Sequence, residues 1–88
     1  MSRIAVVLPA YNAEKTLRAT VESIPKELNA QLILVDDASR DGTVKAAEAL
    51  GLKVVRHAKN RGYGANQKTC YAEALKTDAD IVDRKSVV

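Results

Sequence analysis

The sequence predicts an α/β domain built on a parallel sheet, and three observations carry that expectation. Short apolar runs recur at 4–8, 31–35, 53–56 and again from 79, separated by segments whose apolar residues stand three or four apart. The 31–35 run is apolar almost throughout, as a strand is when helices cover both faces of its sheet. No low-complexity linker, and no repeat beyond this alternation, interrupts the chain.

Each element has a local justification. Ile4-Ala5-Val6-Val7-Leu8 forms the first strand, which breaks at Pro9-Ala10-Tyr11-Asn12-Ala13-Glu14. A helix over 13–24 should follow, because Leu17, Val21, Ile24 and Leu28 keep helical spacing and Pro25 interrupts it. The second strand, 31–35, is expected to be central. Asp41 or Ser39 can cap the second helix, where Val44, Ala47 and Leu50 form the inward stripe and Gly51 supplies the stop. A third strand at 53–56, a polar loop and a third helix at 64–76 lead to a fourth strand opening over 79–82.

Bulk properties exclude several classes. With 88 residues there is room for one domain, and a chain this short buries little more than ~60% of its unfolded surface, so marginal stability is expected. Hydrophobic residues at 47% and charged residues at 28% describe a chain that folds. A net charge of +3 from scattered basic residues gives no case for nucleic acid and suits an anionic small ligand. The single cysteine, Cys70, can form no internal disulfide and has no zinc-site neighbours, so a reducing, cytoplasmic setting is expected. The apolar run before Pro9 is too short for a signal-peptide core or a membrane span.

The segment Val35-Asp36-Asp37-Ala38-Ser39-Arg40-Asp41-Gly42-Thr43 is the most informative. An apolar strand ends there in two acids and runs straight into a helix start. Open α/β sheets bind ligands in the crevice beyond their strands' carboxyl ends, so Asp36 and Asp37 are candidate ligand groups.

Together with Leu8-Pro9-Ala10-Tyr11-Asn12 and Asn60-Arg61-Gly62-Tyr63-Gly64-Ala65-Asn66-Gln67, that segment resembles family 2 glycosyltransferases, in order and in spacing, over roughly residues 3–82. The resemblance implies a three-layer α/β/α, Rossmann-like sheet in the order β-α-β-α-β-α-β, the nucleotide-sugar-binding first half of an A-type glycosyltransferase domain. It implies a UDP- or GDP-sugar donor, an acceptor such as a lipid phosphate or a polysaccharide, and possible membrane association through that acceptor in the full-length enzyme. It also implies Mg²⁺ or Mn²⁺ bridging the diphosphate.

Physical reasons accompany the motifs. Uracil and guanine carry ring N–H donors that a fixed carboxylate such as Asp37 can select, with Asp36 bracing the loop. Pro9 stiffens the strand exit, the Ala10 backbone and the Tyr11 ring can line base and ribose, and Asn12 can cap the following helix. Glu14 can reinforce that helix start through the dipole, although relatives often carry the acid at the position of Ala13. Gly62 and Gly64 allow close backbone approach, and Arg61 and Lys68 can add charge near a diphosphate. The donor-binding candidates are thus Pro9, Ala10, Tyr11, Asn12, Asp36, Asp37, Arg61 and Gly64.

Blander readings stand beside these. Asp36 and Asp37 could form only a loop and a cap, Tyr11 could be a packing residue, and the two glycines could serve turns. Arg61 and Lys68 are solvated unless a pocket claims them, and His57 reads as a loop histidine with no assigned role.

Asp78-Ala79-Asp80 has the D-x-D spelling by which the family holds its metal, but it stands at the entry of the fourth strand. That is about three or four residues too early at ~3.3 Å each, so a turn is expected there and no metal ligand. The functional acids would follow Val82, where this chain has Asp83-Arg84-Lys85-Ser86-Val87-Val88. Those six residues are what a common short-read sequencing adapter encodes, with a stop as its next triplet, so 83–88 is expected to be a non-native tail on a truncated domain spanning 1–82. No general base is visible, and the 88 residues alone are expected to be inactive.

Two other classes compete. A dinucleotide-binding module needs a Gly-rich turn after its first strand, and Pro9-Ala10-Tyr11-Asn12 has none. A non-catalytic half-domain would recruit a partner through an exposed sheet edge.

Overall fold

A computed structural model describes residues 3–87. In chain order it contains β1 (Ile4–Ala10), α1 (Leu17–Glu22), a 3₁₀ turn (Lys26–Leu28), β2 (Gln31–Asp36), α2 (Thr43–Ala49), β3 (Lys53–Arg56), α3 (Tyr63–Leu75) and β4 (Ile81–Arg84). The sheet order is β3-β2-β1-β4, with every pair parallel.

Period-two alternation divides the strands between two cores. Val6, Leu8 and Ala10 of β1 join Leu34 of β2 beneath α1 and α2, against Leu17, Ile24 and Ala47. Val7, Ile33 and Val35 point the other way, onto Cys70 and Ala74 of α3. Leu8, Ile33 and Leu34 are 0% exposed, and each such burial contributes ~1.5–3 kcal/mol. Helices therefore cover both faces, as the unbroken apolar run of β2 predicts.

The first helix departs from expectation. Instead of 13–24 it spans Leu17–Glu22. Asn12 takes a left-handed φ of 48°, and 14–16 form a turn that carries the chain from β1 to the helix. Leu28 leaves the apolar face altogether, standing 43% exposed in the 3₁₀ turn. β1 runs two residues past the expected break, because Pro9 and Ala10 stay in register with Val35 and Asp36.

β4 covers 81–84 and is exposed at every residue. Beyond it Lys85 and Val87 donate N–H bonds to the carbonyls of Val7 and Pro9, at 3.0 and 2.9 Å. This ladder uses backbone groups that any sequence supplies; only Val87, 2% exposed, also packs into the core.

Candidate functional site

The strand order reverses at β1: the chain steps outward to β2 and β3, then returns through α3 to place β4 on the other side. A crevice at such a switch point, outside the strands' carboxyl ends, is the general ligand position of open α/β sheets. Here a pocket of 190 Å³ occupies it, lined by Pro9, Ala10, Tyr11, Asp37, Asn60, Gly62, Tyr63 and Asn66. It is smaller than the ~300–1,000 Å³ of typical ligand sites.

Asp37 is the fixed charge of this pocket, 3% exposed one residue beyond β2. Its Oδ1 accepts from His57 Nδ1 at 2.8 Å and from the Arg61 N–H at 2.9 Å, and its Oδ2 accepts from the Gly62 N–H at 2.9 Å. Burial alone would raise the carboxyl's pKa. The bonds from His57, Arg61 and Gly62 outweigh burial and hold it below the ordinary carboxylate value. Asp37 is therefore an anion at neutral pH and accepts hydrogen bonds only.

Gly62 makes this possible through its backbone. Its φ of 90° lies where only glycine is comfortable, and that turn directs its N–H at Asp37 while starting α3. His57, buried just after β3, completes the clamp, with Nε2 2.8 Å from Thr69 Oγ1 and the Thr69 hydroxyl 3.2 Å from the Ala65 carbonyl. This corrects the expectation of a loop histidine without a role. The sequence signal was its position directly after a strand whose end abuts the acid pair.

Asp36 braces the neighbouring loop, as expected. Fully buried, it accepts from the Ser39 N–H at 2.9 Å and the Ser39 hydroxyl at 2.5 Å. Asn12 does not cap α1; its Oδ1 accepts from the Arg40 N–H at 2.8 Å, and its own N–H donates to Ser39 Oγ. Glu14 likewise serves the other loop, accepting from the Gly42 N–H at 3.0 Å while its own N–H donates to Asp41 at 3.2 Å. A Cβ at residue 42 would fall 2.5 Å from Glu14 Oε2, the free end of a flexible side chain, so the carboxylate would have to shift to admit it. Asp41 also receives the Thr43 N–H and hydroxyl; the hydroxyl bond is the leading cause of its lowered pKa. The loops after β1 and β2 are thus sewn into one platform, in which Asp41 also holds the first N–H of α2 while Asn12 and Glu14 are turned to the other loop and leave α1 uncapped.

Among the predicted residues, Pro9, Ala10, Tyr11 and Asp37 come together around the pocket. Asn12 and Asp36 lie behind it, Arg61 contributes its backbone N–H, and Gly64 stands exposed in the first turn of α3 with open space around it. Lys68 is exposed. Asn66 was not anticipated: buried, it donates to the Val35 carbonyl at 3.0 Å and ties α3 to the end of β2. Cys70 donates its thiol to Asn66 Oδ1, and burial pushes that thiol's pKa up to about 11, so it stays protonated.

The residues do not fit a divalent metal. Among those described, no three His, Cys, Asp or Glu side chains gather as a cation site. Asp78 and Asp80 lie before β4, at the opposite end of the sheet, tied to Arg3.

A parallel sheet with helices on both faces and a buried carboxylate lining a pocket at its switch point defines an open α/β domain with its crevice where such folds bind ligands. The profile described as Glycosyl transferase family 2 matches residues 5–78, and the chain belongs to that family. An uncharacterized protein of Methanocaldococcus jannaschii is 43% identical over 61 residues, covering 69% of this chain and 25% of that protein. The UDP-N-acetylglucosamine–dolichyl-phosphate N-acetylglucosaminyltransferase of Methanococcus voltae is 30% identical over 95 residues, covering 89% and 38%. Among solved structures, glucosyl-3-phosphoglycerate synthase from Mycobacterium tuberculosis, in complex with Mn²⁺, UDP and glucosyl-3-phosphoglycerate, superposes with a TM-score of 0.78 at 30% identity. The superposition covers 98% of this chain and 33% of that one. The chain thus spans between a quarter and two fifths of these proteins' length.

Proposed function

We propose that this chain holds the nucleoside diphosphate of a UDP- or GDP-sugar, as the donor-binding part of an enzyme that passes the sugar to an acceptor such as a lipid phosphate or a polysaccharide. One observation carries the proposal: Asp37, buried, ionised and clamped from three sides, lines a pocket at the switch point of the sheet. In this reading Asp37 accepts a ring N–H of the base, Pro9, Ala10 and Tyr11 line base and ribose, and Asn12 and Asp36 keep the loops in place. Arg61 and Gly64, at the start of α3, stand on the diphosphate side, where helix N–H groups favour an anion. The relatives support this, since one is named for a UDP-sugar and a dolichyl phosphate and another holds UDP with Mn²⁺.

A divalent metal, as in that neighbour, would need ligands beyond the described residues, among which no three gather as a cation site, and no side chain in the pocket is assigned as a general base. The 88 residues by themselves are proposed to bind nucleotide without turning it over. Titration with UDP and GDP, set against NAD, tests the reading: binding of either diphosphate that is lost in Asp37→Ala supports it, and preference for NAD overturns it. Glycosyl transfer by the purified chain would refute the claim of inactivity. Among the described residues no helix is long and apolar enough to cross a membrane, and a cytoplasmic location, at the membrane face for a lipid acceptor, belongs to the same proposal.

Residues 83–88 are proposed to be non-native. The strand-like path of 83–87 does not oppose this, because it rests mainly on backbone bonds. Sequencing the uninterrupted gene decides it: codons unrelated to the adapter at 83–88 would sink the idea.

A further inference from the structure

Resting on that donor-binding reading, we propose that the pocket reads a base with a single ring N–H, uracil, in preference to guanine, and that His57 is the positioning residue that enforces the choice. A carboxylate offers about four acceptor positions, two on each oxygen. On Asp37, His57 Nδ1 and the Arg61 N–H take both positions of Oδ1, and the Gly62 N–H takes one of Oδ2. One position remains.

Uracil presents one ring N–H to such an acceptor. Guanine presents two adjacent donors, its ring N–H and its exocyclic amine, and satisfies both only by engaging both carboxylate oxygens. With Oδ1 saturated, guanine would bury its amine without a partner, the costly side of hydrogen-bond exchange. Cytosine has no ring N–H at this edge and would set a lone pair against the Asp37 anion.

His57 decides the count because, among the described residues, it is the only side chain hydrogen-bonded to Asp37. The two N–H groups belong to the backbone of the turn at 61–62, whereas the ring is held from behind by Thr69 and cannot swing away without breaking its 2.8 Å contact there. Removing the ring frees a position on Oδ1 and makes the carboxylate available from both oxygens.

Calorimetric titration of the chain with UDP, GDP and CDP tests this, beside His57→Ala and His57→Asn. UDP should bind about tenfold more tightly than GDP or CDP. His57→Ala should narrow the UDP-to-GDP preference to within about threefold, and His57→Asn, whose amide can donate in place of Nδ1, should restore it. GDP binding as tightly as UDP overturns the inference. CDP matching UDP also overturns it, since ring size and not the Asp37 acceptor would then select. His57→Asn that folds but loses selectivity refutes the role of His57. Should His57→Ala not fold, the wild-type comparison of three nucleotides still decides the base. If none of the three binds, the donor-binding reading itself has failed, a result distinct from binding without selectivity.

Discussion

Each end of the sheet carries a pair of neighbouring aspartates, Asp36 with Asp37 and Asp78 with Asp80, and the two pairs are used in opposite ways. At the carboxyl end, Asp36 and Asp37 are 0% and 3% exposed and their oxygens are engaged by backbone and buried side-chain donors. At the amino end, Asp78 and Arg3 pair with side chains 82% and 69% exposed. A depression of 890 Å³, larger than the 190 Å³ pocket at the carboxyl end, is found at this amino end, lined by Arg3, Glu27, Asn29, Gln31 and Asp78. Size and acidity are therefore poor guides to the site. What separates the two ends is strand direction, since loops after parallel strands meet over the switch point, whereas the amino-end aspartates stay in high dielectric where their charge is screened.

The largest expected effect breaks the buried end. Asp37→Ala leaves the His57 ring and the N–H groups of Arg61 and Gly62 without their acceptor and should cost ~3–5 kcal/mol. That is a large part of the ~5–15 kcal/mol that holds a typical domain together, and a urea-denaturation midpoint would measure it. Gly62→Ala comes next. Alanine at a φ of 90° costs ~1–3 kcal/mol and pulls the N–H off Asp37, so nucleotide affinity should fall with stability.

Acid should act on the same end. Asp37 has its pKa lowered on folding, so its contribution is fully present above the ordinary value of 3.8 and is lost as pH falls below that, through the folded value. Melting temperature followed from pH 7 toward pH 2 should drop more steeply for the wild type than for Asp37→Asn, which has no such proton to bind. Parallel curves would refute the buried anion.

Much of this architecture was legible in the chain. The unbroken apolar run at 31–35 required cover on both faces, and the observed register delivers it. Asp36 and Asp37 were legible because an apolar strand cannot absorb two acids except at its end. The missed features are those created by tertiary contact. Helical spacing suggested a helix from residue 13, but Asn12 and Glu14 are claimed by Arg40 and Gly42 from a loop nearly 30 residues away, which no local pattern encodes. His57 was missed for the same reason: a lone histidine carries no periodicity, and its function depends on Asp37 being 20 residues distant in sequence and 2.8 Å away in space.

The smallest expected effect sharpens the contrast from the other end. Asp78→Ala removes an ion pair between two exposed side chains, and such pairs contribute ~0–1 kcal/mol, less as salt rises. Stability should therefore shift within that range, and the shift should vanish in 1 M salt. Nucleotide affinity should not change, because Asp78 lies across the sheet from the pocket. The same variant judges the D-x-D spelling directly. Were Asp78-Ala79-Asp80 the family's metal motif, Mn²⁺ would strengthen UDP binding in the wild type and not in Asp78→Ala; equal Mn²⁺ response in both leaves the pair its structural task, tying Arg3 at the head of β1 to the turn before β4.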